Sequence, residues 1–474
     1  MSTVMAGEST PGESTPGDST PGDSTLGDST PGDSTPGGTM PGNFMQQALD
    51  NAAATAPDWL RDWLQDGRDR WAASTLPTRK TEAWKYTSIR ALQQDYAVPG
   101  AAVAASAPVA MDIPQLGGCR LVFVNGYLRT DLSSDSLPDG VSVVRFADAD
   151  EQQASRIRQH LGSAAGRERG LFGALNDASL ADGVFLDVAA DARVEETLQL
   201  AWITSSAERA CSVNQRLLVL CGTGSELRLI EHFASDTSEQ FTFTNGVTEL
   251  LLQPGARLEH YRLHLEETLA MHVGGVYARL DRDATLEGFH LALGSVLKRV
   301  DIVVEHRGPG AHCGLAGVYL PREKEHVDYH TCVEHAVPHC TTDEVFRGIV
   351  ADEARAVFNG RIHIHPDAQK TRAELSNRNL LTSAHAEVDT KPELEIYADD
   401  VQCAHGATVA QLDDTSLHYL RTRGIAEDEA RVMLSFGFIN EVIDTIRCER
   451  VRDYLRPLLA RRLARDPSLT RHLA

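Results

Sequence analysis

Short apolar segments alternating with polar residues recur from about Cys119 to about Leu412, and nothing else in the chain narrows its fold as far. "CRLVFVNGYL", "LLVLCGTGSELRLIEHF", "TELLLQPGARLEHYRLHL", "TLEGFHLALGSVLKRVDIVVEH" and "VFNGRIHIHP" are each bounded by Gly, Pro, Asn or Asp. Period-two alternation between turn residues marks β-strands, and few helical windows interrupt it. Corners of the form x-Ala-x-Leu-x or x-Gly-x-Leu-x recur, whereas Asn-Gly hairpin turns are few. Such corners suit strands stacked as a β-solenoid better than strands folded back on themselves. No strict repeat length emerges, so a sandwich or barrel stays open on periodicity alone.

Helix signals flank this region. Residues 44–115 form an expected N-terminal helical domain and linker: Phe44, Ala48, Leu60, Trp63, Leu64 and Trp71 fall roughly at helical intervals, and Thr81 and Trp84 mark a further short helix. An Ala/Pro/Val-rich connector runs from Val98 to Gln115. Residues 116–411 are the expected β core, and 412–474 a C-terminal helical domain. There "DDTSLHYLRTRG" carries an Asp cap and closes on Gly424. In the following helical stretch Ala430, Met433, Leu434, Phe438, Val442 and Ile446 form an apolar stripe. Residues 1–43 contain a pentad repeat, "GESTPGDSTP" and its variants, too poor in apolar groups to offset ordering entropy, and are expected to be a disordered tail.

Composition excludes several functions. With 45 Lys and Arg against 67 Asp and Glu, the formal net charge is −22. That field opposes binding to nucleic acid or to an anionic membrane surface. Eight cysteines without a CxxC pair read as reduced thiols. No secretory signal and no run of 18 apolar residues is apparent, so a cytoplasmic protein that does not span a membrane is expected. No GxxxxGK[ST], HExxH, GxSxG or Rossmann GxGxxG is present, so no P-loop ATPase or common hydrolase site is expected in this chain.

Two stretches carry possible metal ligands. "EHVDYHTCVEHAVPHC" holds His326, His330, Cys332, His335, His339 and Cys340. In a strand, residues two apart share a face at about 6.6 Å and residues four apart lie about 13 Å apart, so His330 with Cys332 could converge but His326 with His330 could not. A ladder of polar side chains bonded between neighbouring strands accounts for the same residues. His363 and His365 of "RIHIHP" have the same two-residue spacing and read as surface histidines. The second stretch, "DDVQCAHGATV", places Cys403 and His405 on one face if it is extended. Thiolate and imidazole suit iron–sulfur centres, but two ligands are only part of a coordination shell.

"LPTRKTEAWKYTSIRAL", "LKRVDIVVEHRGPGAHCGLAGVYL", "EHVDYHTCVEHAVPHC", "VFNGRIHIHPDAQKT", "NRNLLTSAHAEVDTKPELEIYADDVQCAHGATVAQLD" and "YLRTRGI" together resemble the SufB/SufD family of iron–sulfur cluster assembly subunits. The resemblance runs from about Leu76 to Ile446. A SufB-type chain would carry a cysteine at the position of Asn377 and a glutamate within the stretch His405–Thr408, and this chain has neither, so it is similar to the SufD type. Tyr329 departs from the pattern, standing where many relatives have a further His.

The resemblance implies a right-handed parallel β-helix core between N- and C-terminal α-helical domains. It also implies a complex with a SufB-like paralogous subunit and SufC-like ABC-type ATPases, served indirectly by a cysteine desulfurase system. A nascent, transient iron–sulfur cluster would be shared at the interface between the two β-helices, with His405 as this chain's ligand and Cys403 as an auxiliary thiol. The stripe Ala430, Met433, Leu434, Phe438 and Val442 would dock the ATPase, and this chain would be a non-enzymatic scaffold. Reduced flavin has been linked to the family, although no flavin motif stands here. Two rivals are a stand-alone His-rich metal-binding β-helix protein and a β-helix carbohydrate-active enzyme. For the latter, Asp399 and Asp400, adjacent on a strand, would face opposite ways and could not act as an acid/base pair.

Overall fold

A computed structural model describes residues 43–100, 107–164, 170–205 and 210–464, together with 466 and 469. The pentad-repeat tail expected to be disordered lies outside the described residues. Among the described residues nineteen strands follow one another: β1 (Cys119–Val124), β2 (Tyr127–Leu128), β3 (Val141–Arg145), β4 (Val184–Val188), β5 (Leu198–Thr204), β6 (Cys211–Cys221), β7 (Glu226–Ser235), β8 (Thr242–Leu252) and β9 (Arg257–His264) begin the series. It continues with β10 (Ala270–Leu280), β11 (Thr285–Leu293), β12 (Leu297–His306), β13 (His312–Leu320), β14 (His326–His335), β15 (Thr341–Val350), β16 (Arg355–Ile364), β17 (Arg372–Leu381), β18 (Glu387–Ile396) and β19 (Gln402–Gln411).

From β4 onward the chain alternates between two sheets, one ordered β18-β16-β14-β12-β10-β8-β6-β4 and the other β19-β17-β15-β13-β11-β9-β7-β5. Within each sheet these strands pair in parallel. The resulting parallel β-solenoid has about seven turns. It replaces the sandwich and barrel left open by periodicity. The turn length also shows why no strict repeat is visible: residues 312, 341, 372 and 402 are successive lateral partners, so the step is 29, then 31, then 30 residues.

One corner of each turn has a common construction. Asp191, Gly224, Gly255, Asp283, Gly310, His339 and Lys370 all have positive φ, between 56° and 77°. Most of their N–H groups donate to the turn above, as from Asp283 to Pro309 O at 3.1 Å and from Lys370 to Asp400 O at 2.7 Å. Gly310 is needed on two counts: its φ is left-handed, and a Cβ there would meet Asp283 Oδ1 at 2.2 Å. The next residue along is small and buried in six of the seven: Ser225, Ala256, Ala284, Ala311, Cys340 and Thr371. Cys340 is thus one member of a corner ladder.

The solenoid interior is packed across turns. Phe123, Trp202, Phe233 and His264 are lateral partners, with ring centroids 4.4, 6.3 and 4.8 Å apart and interplanar angles of 28° or less. Each such stack is worth about 0.5–1.5 kcal/mol beyond its buried area. Helices cover the outer faces. α1 (Phe44–Thr55) and α2 (Arg61–Ala73) agree with the helical signals at Phe44, Leu60 and Leu64, and a 3₁₀ turn spans Glu82–Trp84. Two further helices, α3 (Glu151–His160) and α4 (Gly170–Ala178), fall inside the stretch read as continuous β. A local signal for the first was present: Asp150 and Gln153 form a capping box. Gly67 of α2 lies so close to α4 that a Cβ would meet Ala178 N at 2.6 Å.

At the C-terminus α5 (Asp414–Arg421) is capped by Asp413, and Gly424 (φ +84°) follows it, as the Asp-to-Gly pattern indicates. α6 (Glu427–Ile443) and α7 (Glu449–Leu463) then pack Ile439, Ile443, Leu455 and Leu459 onto Tyr261, Phe289, Val318 and Ile349 of the odd-numbered sheet. Each of these aliphatic side chains, fully withdrawn from water, contributes about 1.5–3 kcal/mol. No described helix is long and apolar enough to cross a membrane.

Candidate functional site: the terminal turn

The solenoid's last turn is built by β18 and β19, the outermost strands of the two sheets. On the turn beneath, Ala356, Phe358, Ile362 and Ile364 of β16 are 0% exposed, whereas their β18 partners Val388, Thr390 and Leu394 are only half-buried and Ile396 is 40% exposed. Tyr397 and Val409 are exposed as well. Pro392 stands in the middle of β18, where its missing N–H is tolerated because the strand is an edge. The core of the solenoid therefore opens at this end.

Cys403 and His405 both lie on β19, on the row that stacks over the buried Ala373 and Leu375 of β17. This places them on one face, as their spacing requires. Cys403 is half-buried and packs at the fringe of the core, and His405 is exposed. Burial pushes the Cys403 thiol up from its ordinary value, and hydrogen bonding with the Ala373 backbone partly counters it. Among the described residues, three groups bring together three or more candidate metal ligands, and neither Cys403 nor His405 belongs to any of them.

Asn377 sits one turn below, beside Ala407. It is fully buried, its Nδ2 donates to Tyr319 Oη at 2.9 Å, and its Oδ1 accepts from Asn379 at 2.6 Å and Thr390 at 2.9 Å. The position is a structural hydrogen-bond junction. Asp399 and Asp400 are in the corner, not on a strand; Gln369 donates to Asp399 at 2.8 Å and Lys370 pairs with Asp400.

The histidine-rich strand β14 behaves as the polar ladder. Val327, Tyr329, Thr331, Val333 and His335 point inward, and His326, His330, Cys332 and Glu334 alternate outward. His326 approaches Thr87, His330 lies 3.0 Å from Asp328 and 3.1 Å from Arg299, and Cys332 accepts from Arg361 at 3.4 Å. His335 stacks on His306 at 4.4 Å with planes 17° apart, and both Nε2 atoms meet Thr342 Oγ1. With Cys340 they form a buried group whose ligand atoms lie within 4.8 Å of one another, but both imidazoles are already held by the Thr342 hydroxyl. His339 is the exposed left-handed corner residue.

A buried ionic network inside the solenoid has no local signature in the sequence. Glu231 accepts from Arg262 at 2.7 Å and from Thr248 at 2.9 Å, and it meets His260 at 2.9 Å. Burial alone would raise Glu231, but the Arg262 guanidinium and His260 outweigh it and hold the carboxyl at about 2. Nearby, Glu266 contacts His272 at 2.7 Å and Lys298 at 3.4 Å. Burial drives His264 down to about 3, and Lys298 supplies the charge that Glu266 needs. The His264–Glu266–His272 group is thus a self-neutralised ion network.

Of the apolar stripe on α6, Ala430 is buried and Val442 is buried against the chain's own core, and Met433, Leu434 and Phe438 are half-buried. A helix lying on a sheet must spend its most apolar edge on that sheet, so only the latter three keep a surface to offer a partner.

Comparison with known proteins adds to this picture. Residues 202–438 match the model of the SufBD core domain of the SUF iron–sulfur cluster assembly system, and residues 43–200 match that of the SufBD protein N-terminal region. The iron–sulfur cluster assembly protein SufD of Escherichia coli K12 is 32% identical over 82% of this chain and 89% of its own length. A SufBD family iron–sulfur cluster assembly protein of Synechocystis is 27% identical over 83% of this chain and 88% of its own. With both halves of the described chain matched, and with the solenoid and flanking helices in place, the chain belongs to the SufBD family of iron–sulfur cluster assembly proteins, of the SufD type.

Proposed function

We propose that this chain is a scaffold subunit that contributes half of a cluster-forming site and leaves ATP hydrolysis to a partner. The observation that carries the reading is the open terminal turn, where Cys403 and His405 sit together on an edge strand and, among the described residues, no third ligand is grouped beside them. An edge strand with half-buried core residues is a ready surface for another β-element. The partner that fits is a paralogous SufB-like solenoid, docking end on and bringing the remaining ligands to a transient iron–sulfur cluster. His405 is exposed on the edge strand, where a partner can reach it. Cys403, raised by burial, is a thiol until iron or a neighbouring cation draws its proton away.

A SufC-like ATPase would dock on the C-terminal helices through Met433, Leu434 and Phe438. Its closure on ATP would shift the solenoid ends and expose the interfacial thiol and imidazole. Sulfur would arrive from a cysteine desulfurase system acting on the complex, and no residue of this chain is assigned to reduced flavin.

Anaerobic pull-down of the tagged chain from its own cell extract tests this, with iron and acid-labile sulfide assayed in the eluate. Recovery of a paralogous β-solenoid subunit and a small ATPase, with cluster confined to that complex, is the expected result. His405→Ala should lower cluster content and leave the subunits associated. A chain that purifies alone, or a His405→Ala variant with full cluster content, would overturn the assignment.

A further inference from the structure

The outer face of the even-numbered sheet carries a second group of ligands, away from the β19 row. His363 and His365 are two apart on and just beyond β16, so they project from the same face. Glu334 of β14 is the direct lateral partner of His363 on one side, and Glu395 of β18 is its partner on the other. The His363 and His365 rings stand 4.4 Å apart. Glu334, His363 and His365 each bring one donor atom within 4.8 Å of the other two.

A further observation points to a ligand. His365 Nε2 is shut off from water and has no hydrogen-bond partner, and the oxygen nearest it in charge terms is Glu334 Oε2 at 3.8 Å. That gap is too long for a hydrogen bond. Two donors bonded at about 2.1 Å to one tetrahedral ion stand about 3.4 Å apart, so a movement of about 0.4 Å would close it. The four side chains are flexible enough to move: His365 is 39% exposed, and Glu334 and Glu395 are 28% and 40%. This distinguishes them from the buried, Thr342-locked His306 and His335.

The local charge favours a cation. Among the described residues Glu334 and Glu395 share one guanidinium, that of Arg361, which lies 3.3 Å from Glu395 Oε1 and 3.8 Å from Glu334 Oε1. Arg361 thus engages the other oxygen of Glu334 and leaves Oε2 directed at His365.

We propose that Glu334, His363 and His365, with Glu395 in reach, form a surface site for a first-row divalent cation of borderline softness. Two imidazoles and a carboxylate, two of them on an alternating strand and one on its neighbour, are a donor set suited to Zn²⁺ or Fe²⁺. The site is independent of the half-site at Cys403 and His405.

The test uses the full-length chain carrying His405→Ala, so that ions at the terminal turn are not counted. Zn²⁺ is titrated by calorimetry and Co²⁺ by its visible d–d absorption, with thermal melts confirming that each variant is folded. One ion per chain at this site is expected, together with a tetrahedral-type Co²⁺ spectrum. His363→Ala should weaken the ion's affinity by on the order of a hundredfold, and Glu334→Gln by about tenfold. Should one variant not fold, His365→Asn reads the same ligand set. Unchanged affinity and stoichiometry in the folded variants, or no binding of either ion up to about millimolar concentration, would overturn the site.

Discussion

Glu344 offers the sharpest test of the solenoid interior. It lies on β15 between its lateral partners Leu315 and Leu375, is 1% exposed, and accepts one hydrogen bond, from Thr331 at 2.6 Å. Its second oxygen has no partner. Among the described residues no cation offsets its burial, which raises its carboxyl from an ordinary value of 4.5 to about 7, against the opposing pull of Thr331. The folded state therefore holds the proton more tightly than the unfolded chain does. Stability associated with Glu344 is fully present below about pH 4.5 and is lost as the pH rises through about 7. The difference between the two values corresponds to about 3 kcal/mol. Glu344→Gln keeps the acceptor for Thr331 and removes the ionisation. In urea unfolding the variant and the parent should agree within about 1 kcal/mol at pH 5, and at pH 8 the variant should be the more stable by about 3 kcal/mol. A gap between the two proteins that is the same at both pH values would refute the reasoning.

Three other substitutions probe separate parts of the structure. Tyr329 is fully buried with an unpartnered hydroxyl, so Tyr329→Phe should raise the thermal midpoint, by the equivalent of about 1–3 kcal/mol, and a fall would show that the hydroxyl has a partner. Gly274 stacks on Gly246 so closely that a Cβ would meet Gly246 O at 1.9 Å; Gly274→Ala should cost about 3 kcal/mol or more in urea unfolding. Ile439 is 0% exposed where α6 meets the sheet, so Ile439→Ala should cost about 2–5 kcal/mol, and limited proteolysis should then release the C-terminal helices first.

Much of the fold was legible because each strand carries its own evidence. Val327, Tyr329, Thr331 and Val333 alternate inward along β14 as their spacing dictates, and Asp413 and Gly424 bracket α5 by the capping chemistry that their residue types allow. The corner ladder was half-legible. Gly255-Ala256 and Gly310-Ala311 have an evident turn residue followed by a small one, but His339-Cys340 and Lys370-Thr371 fill the same corner with residues that do not look like turns. A left-handed φ at His339 and Lys370 is sustained by the N–H bonds each makes to the next turn, at 2.9 and 2.7 Å, and no local propensity reports those bonds. The helices α3 and α4 were missed for another reason. They interrupt a β pattern for only 10 and 9 residues, and the capping box at Asp150 is a signal that competes with apolar alternation on either side.

The ligand groups divide along the same physical line. Cys403 with His405, and His363 with His365, lie two residues apart, and strand alternation alone places each pair on one face. Several of the partners that complete or neutralise a group in this fold come from the neighbouring turn, 29 to 32 residues away along the chain: Glu334 beside His363, Glu395 beyond it, Glu231 reaching Arg262. Because the turn length drifts from one turn to the next, no fixed offset identifies those partners from sequence. Position in the stack separates the two pairs in kind. His363 has a turn on either side and finds a carboxylate on each, whereas His405 has a turn on one side only. Among the described residues no strand stacks on the outer side of β19, and it is this asymmetry, more than the identity of the two residues, that supports the half-site proposed for the terminal turn.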